Sequence, residues 1–209
     1  MDAPPITFDR AAVSRRGRRL EIFTILWNSA EAVVALVAGA VAGSISLVGF
    51  GIDSLIEVTS GAALLWRMGV DDDPARRERI EQKSLKIVGG CFVALALYIA
   101  YEAVETLWRH QAAERSLPGI VLAAVSLAAM PLLSRAKRRV AASLNSAAMA
   151  ADAKQTEFCA YLSAILLAGL LLNAALGWWW ADPVAALLMV PIIANEGREA
   201  LTGKRCSCD

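Results

Sequence analysis

The chain has 209 residues, 57% of them hydrophobic, and a formal net charge of +1. So apolar a chain is unusual for a soluble domain and typical of a multi-span membrane protein. No basic stripe is interleaved with aromatic residues, so we expect no nucleic-acid partner.

Six apolar stretches follow one another, each able to cross a hydrocarbon core that needs about 20 helical residues. They are predicted at Leu20–Val41, Ile45–Met68, Leu85–Trp108, Leu117–Ser134, Ala147–Leu172 and Asp182–Leu201. Asp71-Asp72-Asp73-Pro74 predicts a helix stop and restart, and a basic loop is predicted at 135–139. We predict an all-α membrane protein of six transmembrane helices embedded in the lipid bilayer. Its parts are an N-terminal segment (1–19), a transmembrane domain (20–201) and a short tail (202–209).

The distribution of basic residues predicts the orientation of these spans. Nineteen of the 21 Lys and Arg residues fall in the two termini, the 67–86 region, the 135–139 loop and Lys154. The opposite side holds only Arg109 and Arg115. Because cytoplasmic loops carry the excess of Lys and Arg, we expect both termini in the cytoplasm and the protein in the inner (plasma) membrane. The polar start shows no cleaved signal peptide, which predicts that the first span is retained.

Two carboxylates interrupt the second apolar stretch, Asp53 and Glu57. Their spacing of four puts both on one face of a helix, about one turn apart. An ionisable side chain near the bilayer centre costs at least ~2.5 kcal/mol, so such residues normally face protein or water and have a function.

The fifth span carries a second polar face, formed by Asp152, Gln155 and Cys159 at i, i+3 and i+7. Asp53 lies about 12 Å into a span that runs inward, and Cys159 about 18 Å into a span that runs outward. These depths add up to the core thickness, so antiparallel neighbours would bring Asp53, Glu57, Gln155 and Cys159 to one height. Carboxylate, amide and thiolate ligands in tetrahedral number suit Zn²⁺.

Each of these residues also has a structural interpretation. The two carboxylates could form a structural pair with Asn28 or with serines of other spans, and Cys159 could be a small apolar filler. Gln155 could be an interhelical hydrogen-bonding residue. Asn28 and Glu31 of the first span could line the same cavity or could hold helices together. The tail Cys206-x-Cys208 could bind a soft metal or could be a frayed end without a role.

The pattern resembles the cation diffusion facilitator family of metal/proton antiporters. The matching features are the six spans with both ends inside, Asp53-x-x-x-Glu57, the stretch Ala151-Asp152-Ala153-Lys154-Gln155-x-x-x-Cys159, and Gly177…Asp182-Pro183 before the sixth span. The resemblance implies a transmembrane metal site of Asp53, Glu57, Gln155 and Cys159 with Asp152 beside it. It also implies alternating access with proton exchange.

Two departures from the family pattern change the expectations. Gln155 and Cys159 stand where the family usually has His and Asp, so proton coupling would fall on the carboxylates and the thiol. Family members usually continue into a cytoplasmic domain that helps them dimerise, whereas this chain stops eight residues after its sixth span. We therefore expect a homodimer formed through the spans, where the small residues of Ala35–Gly43 permit close packing.

We predict an exporter of divalent cations with no cofactor beyond the transported metal. Zn²⁺ is the first choice, and Fe²⁺, Co²⁺ and Cd²⁺ stay open. The alternative is a non-transporting, metal-binding membrane subunit or regulator with the same fold. We expect no enzyme, because the single histidine, His110, lies in an outer loop far in sequence from any acid–nucleophile set.

Overall fold

The computed structural model describes residues 10–68, 74–144 and 146–202, and these residues form six helices. They are α1 (Arg10–Ala42), α2 (Ile45–Met68), α3 (Pro74–Arg109), α4 (Leu117–Leu144), α5 (Ala147–Leu176) and α6 (Ala181–Thr202). The Asp71–Asp73 part of the predicted helix stop and the Cys206-x-Cys208 tail lie outside the described residues, while Pro74 is the first residue of α3.

The turns between the helices have recognisable local causes. Gly43 and Gly177 adopt φ values of 64° and 66°, a conformation that costs glycine little and lets a helix end in a tight turn. The Gly177 N–H donates to the Asn173 carbonyl at 3.0 Å. Ser146 caps α5 by accepting a hydrogen bond from the Met149 N–H at 3.4 Å. The helices therefore run alternately up and down.

Five of the described helices are long and apolar enough to cross a membrane. The sixth, α6, has 22 residues, about 33 Å of helix, but carries Glu196, Arg198 and Glu199 near its end. Large apolar side chains lie on the outside; Leu26, Val41, Leu132 and Trp108 are all more than 60% exposed. This distribution suits a chain whose solvent is lipid, and the predicted all-α membrane fold is confirmed.

Three helix pairs pack most extensively: α1 with α2, α4 with α5, and α3 with α6. The first two pairs join into a four-helix group through α1–α4 and α2–α5 contacts, and the α3–α6 pair packs beside it. Glycines allow the close crossings. A Cβ on Gly39 would lie 2.9 Å from the Val48 backbone nitrogen of α2, and one on Gly89 of α3 would lie 2.9 Å from the Gly197 carbonyl of α6. Gly39, in the small-residue stretch expected to serve a dimer, thus packs inside the chain.

The end of the bundle that carries the start of α1 and the end of α6 is called the terminal end below. At this end the prediction of a basic loop at 135–139 was wrong, because α4 continues through it to Leu144. Lys137 is fully buried there. The hydropathy pattern did not predict the burial of Lys137, because its ammonium pairs with carboxylates of two other helices, α1 and α5. The helices α1 and α3 also begin earlier than the apolar stretches, at Arg10 and Pro74.

Candidate metal-binding site

The two carboxylates of α2 lie in the interior of the four-helix group. Asp53 is 4% exposed and Glu57 is 5% exposed. Asn28 of α1 donates its side-chain N–H to Glu57 Oε2 at 2.7 Å, while the Asn28 Oδ1 has no hydrogen-bond partner among the described residues. Glu57 is thus held by an amide of the neighbouring helix, as the structural interpretation expected, and an unused amide oxygen lies beside it.

The thiol of α5 is also buried. Cys159 is 1% exposed and lies four residues after Gln155 on the same face of α5. One turn toward the terminal end, Ser60 of α2 donates to Gln155 Oε1 of α5 at 3.1 Å. The Ser60–Gln155 hydrogen bond joins the polar faces of the two helices. That Asp53, Glu57, Gln155 and Cys159 form one site stays a prediction.

Glu31 of α1 adds a third carboxylate to the same interior. It is 1% exposed and accepts hydrogen bonds from the Ser54 hydroxyl of α2, at 3.3 Å, and from the Ser126 hydroxyl of α4. It interacts electrostatically with Asp53 and Glu57. From the sequence, Asn28 and Glu31 could line the cavity or hold helices together; in the structure both are buried and hydrogen-bonded to side chains of other helices.

Asp152 is the one predicted site residue whose contacts point elsewhere. Its Oδ2 lies 2.5 Å from the Nζ of Lys137 on α4. The same ammonium is 3.3 Å from the Glu21 carboxylate of α1. Asp152, Lys137 and Glu21 therefore form an ion cluster, which lies nearer the terminal end than Cys159 does.

Four residues near the site were not singled out from the sequence as site residues. They are Ser60, Ser126, Lys137 and Glu196. Glu196 of α6 interacts electrostatically with Asp53, and its Oε1 has no hydrogen-bond partner in the described part of the chain. The signal available for Glu196 was its position as an acid within the predicted sixth span. The serines carry no comparable signal, because single hydroxyls are common in helices.

The predicted ligands are engaged with protein partners in this conformation. Glu57 is bonded to Asn28, Gln155 to Ser60, and Asp152 to Lys137. Across residues 10–68, 74–144 and 146–202, no three His, Cys, Asp or Glu side chains converge closely enough to hold a metal ion. Among the described residues, the interior therefore holds oxygen and sulfur donors spread over about two helical turns, without a closed coordination shell.

Six packed helices with charged and thiol side chains inside and apolar ones outside define a polytopic membrane protein with a polar interior site. Residues 22–202 match the model of the cation efflux transmembrane domain, and the chain belongs to that family. The expected family membership is thereby confirmed.

Three relatives are informative. The chain is 27% identical over 180 residues to an uncharacterized transporter of Synechocystis sp., covering 83% of this chain and 58% of that protein. It is 28% identical over 180 residues to an uncharacterized transporter of Methanocaldococcus jannaschii, covering 83% and 63%. It is 28% identical over 114 residues to the cation-efflux pump FieF of Shewanella oneidensis, covering 54% and 36%. The chain thus spans about three fifths of the length of the first two relatives.

Proposed function

We propose that the chain transports a divalent metal cation out of the cytoplasm, with Asp53, Glu57, Gln155 and Cys159 as its binding residues. The observation that carries the proposal is the 3.1 Å hydrogen bond between Ser60 of α2 and Gln155 of α5, which joins two helices whose Asp53, Glu57 and Cys159 side chains are all buried. Carboxylate and thiolate at one site bind borderline and soft divalent cations. Membership of the cation efflux family supports the same function.

Binding requires an exchange of partners. A cation must replace Ser60 at Gln155, whereas Asn28 can keep its hydrogen bond to Glu57 Oε2 while the ion binds Oε1. The site would then assemble around the ion by small side-chain rotations, with Asp53 approaching from one turn away. Glu31 and Asn28 border the ion without being needed as ligands.

Zn²⁺ is the first candidate cargo, because four donors with one sulfur suit its tetrahedral preference. Fe²⁺, Co²⁺ and Cd²⁺ bind the same donor types. The thiol and carboxylates must be deprotonated to hold a metal, so protons compete for them and proton antiport is the proposed driving reaction. Transport should therefore be faster when the compartment that receives the metal is acidic.

Orientation and assembly form part of the proposal. The terminal end faces the cytoplasm, in accord with its excess of Lys and Arg. Two copies pair through lipid-facing helix surfaces, since Gly39 and Ala35 are already buried within one chain. In the alternative, a metal-binding subunit, the same side chains bind the ion without moving it across the membrane.

The test is metal uptake by proteoliposomes that contain the purified chain and a fluorescent metal indicator. The parent protein should take up Zn²⁺ into vesicles whose lumen is more acidic than the outside, because protons leaving the lumen drive metal entry. Asp53→Ala should abolish uptake while insertion and folding survive, because one buried carboxylate of the site is lost. Glu157→Ala is the matched control: it removes a half-buried carboxylate of α5 that pairs with Arg138, away from the site.

Full uptake with Asp53→Ala would refute the site. Metal binding by the parent chain without any uptake would favour the alternative.

A further inference from the structure

A buried ion cluster lies on the terminal side of the candidate site. Lys137 of α4 and Glu21 of α1 have completely buried side chains, and that of Asp152 is 10% exposed. The Lys137 ammonium is 2.5 Å from Asp152 and 3.3 Å from Glu21. One cation thus joins two carboxylates from different helices. Helix α2 closes the fourth side, since a Cβ on Gly61 would lie 2.8 Å from the Glu21 carboxylate.

The cluster lies between the site and the terminal end. Asp152 precedes Cys159 by seven residues and Glu21 precedes Asn28 by seven, so the cluster is about 10 Å along both helices from the site. Electrostatic interaction links the two, because Glu57 interacts with both Lys137 and Asp152.

An apolar layer follows the cluster toward the terminal end. Val140, Ala141 and Met149 form a separate buried group. Gly17 of α1 fits against it so closely that a Cβ there would lie 2.9 Å from the Met149 methyl. Charged and apolar layers together close the interior of the four-helix group on this side.

Stability does not explain such a cluster. Burying charges costs desolvation energy, and replacing a buried ion cluster by apolar side chains is often neutral or stabilising. Within a membrane, buried ionisable residues more often belong to ion pathways than serve only to hold helices together. The single ammonium also occupies the place where a cation moving from the terminal end to Glu57 would meet its first pair of carboxylates.

We propose that Lys137, held by Glu21 and Asp152, is the gate of the transport site at the terminal end. In this conformation its ammonium blocks the route. A divalent cation opens the route by competing with Lys137 for the two carboxylates. Asp152 then acts as a positioning residue for Lys137, apart from the metal ligands. This inference rests on the proposed function, and its test needs no transport.

The test measures how fast Cys159 reacts with an impermeant methanethiosulfonate ammonium reagent added to inside-out membrane vesicles. The other cysteines are replaced first, by Cys91→Ser, Cys206→Ser and Cys208→Ser. In this background Cys159 should react slowly. Lys137→Met keeps the length of the side chain and removes its charge. It should raise the rate about tenfold, as expected when an open state rises from roughly 1% to roughly 10%.

Two controls define the outcome. Arg138→Met removes the neighbouring charge, which pairs with Glu157 away from the cluster, and should leave the rate unchanged. Lys137→Arg keeps a cation in place and should stay slow. If Lys137→Met does not give a monodisperse protein, Asp152→Asn is the deciding variant. It keeps the shape of the Asp152 side chain but removes the charge that holds the Lys137 ammonium, so it should also raise the reaction rate of Cys159.

Equal reaction rates for Lys137→Met, Arg138→Met and the parent would overturn the gate, as would an unchanged rate for Asp152→Asn where that variant decides. A parent that shows the expected rates but carries no metal in proteoliposomes would count against the proposed function alone.

Discussion

Glu57 connects most of the candidate site at the level of single residues. Its carboxylate accepts a hydrogen bond from Asn28 and is only 5% exposed in the interior of the bundle. Hydrogen bonds to a charged group are worth about 1.5–3 kcal/mol, enough to fix the orientation of a side chain. The hydrogen bond from Asn28 therefore fixes the orientation of the Glu57 carboxylate before a metal binds.

Replacing Asn28 should weaken metal binding without destroying the fold. Asn28→Leu removes the 2.7 Å hydrogen bond and should raise the apparent KM for Zn²⁺ by about tenfold, the equivalent of about 1.4 kcal/mol. Zn²⁺ titration of proteoliposome uptake measures it. Asn195→Leu is the matched control, because it removes a similar amide–carboxylate hydrogen bond, 3.0 Å to Glu199, away from the site. An unchanged KM for Asn28→Leu would show that Asn28 does not orient the ligand.

At the level of helices, the contact between α2 and α5 was predictable and the gate was not. The spacing of Asp53 and Glu57, and of Asp152, Gln155 and Cys159, predicted one helix face for each set, and span depth predicted that the two faces meet. The Ser60–Gln155 hydrogen bond is the side-chain contact the structure shows between the two helices at that level. Lys137 was assigned to a loop because it stands in a basic run, while its partners Asp152 and Glu21 lie on other helices, 15 and 116 residues away in the sequence. A hydropathy value depends on the residue alone. Burial of Lys137 depends on the Glu21 and Asp152 carboxylates, which come close to it only in the folded bundle.

The start of α2 depends on a residue of another helix. Asp182 of α6 accepts hydrogen bonds from the Ser44 hydroxyl at 2.6 Å, the Ile45 N–H at 2.9 Å and the Ser46 hydroxyl. A carboxylate from α6 thus caps α2, satisfying donors at its first turn. The sequence showed Asp182 only as part of the approach to the sixth span.

Asp182→Ala should lower the free energy of unfolding by about 1–3 kcal/mol, because the Ile45 N–H and the buried Ser44 and Ser46 hydroxyls lose their shared carboxylate acceptor. Thermal unfolding in detergent, followed by tryptophan fluorescence, would show it. Glu105→Ala provides the comparison: its 2.6 Å pair with Arg109 is partly exposed, and such pairs are worth about 0–1 kcal/mol. If both variants unfolded at the parent temperature, the cap would carry no stability.

The whole molecule is organised with apolar side chains outside and its acids inside. Three buried carboxylates, Glu31, Asp53 and Glu57, share the interior of the four-helix group, while large apolar residues face outward. Among the residues that the structure describes, every Lys and Arg except Arg109 and Arg115 belongs to the terminal half of its helix. The proposed orientation follows from that asymmetry alone.

Cysteine labelling of intact cells tests the orientation. In the background that lacks Cys91, Cys206 and Cys208, Gln111→Cys should react with an impermeant maleimide added outside, because residue 111 is exposed in the α3–α4 connection. Ser143→Cys, exposed at the opposite end of α4, should react only after the membrane is permeabilised. The reverse result would place the terminal end outside and invert the proposed direction of transport.

The central claim, that α2 and α5 bind one metal ion between them, is tested most directly by zinc K-edge X-ray absorption. The purified protein without Cys91, Cys206 and Cys208 is loaded with one equivalent of Zn²⁺. The account predicts a single sulfur neighbour at about 2.3 Å beside nitrogen or oxygen neighbours, lost in Cys159→Ser. A spectrum without sulfur, or one that Cys159→Ser leaves unchanged, would contradict it.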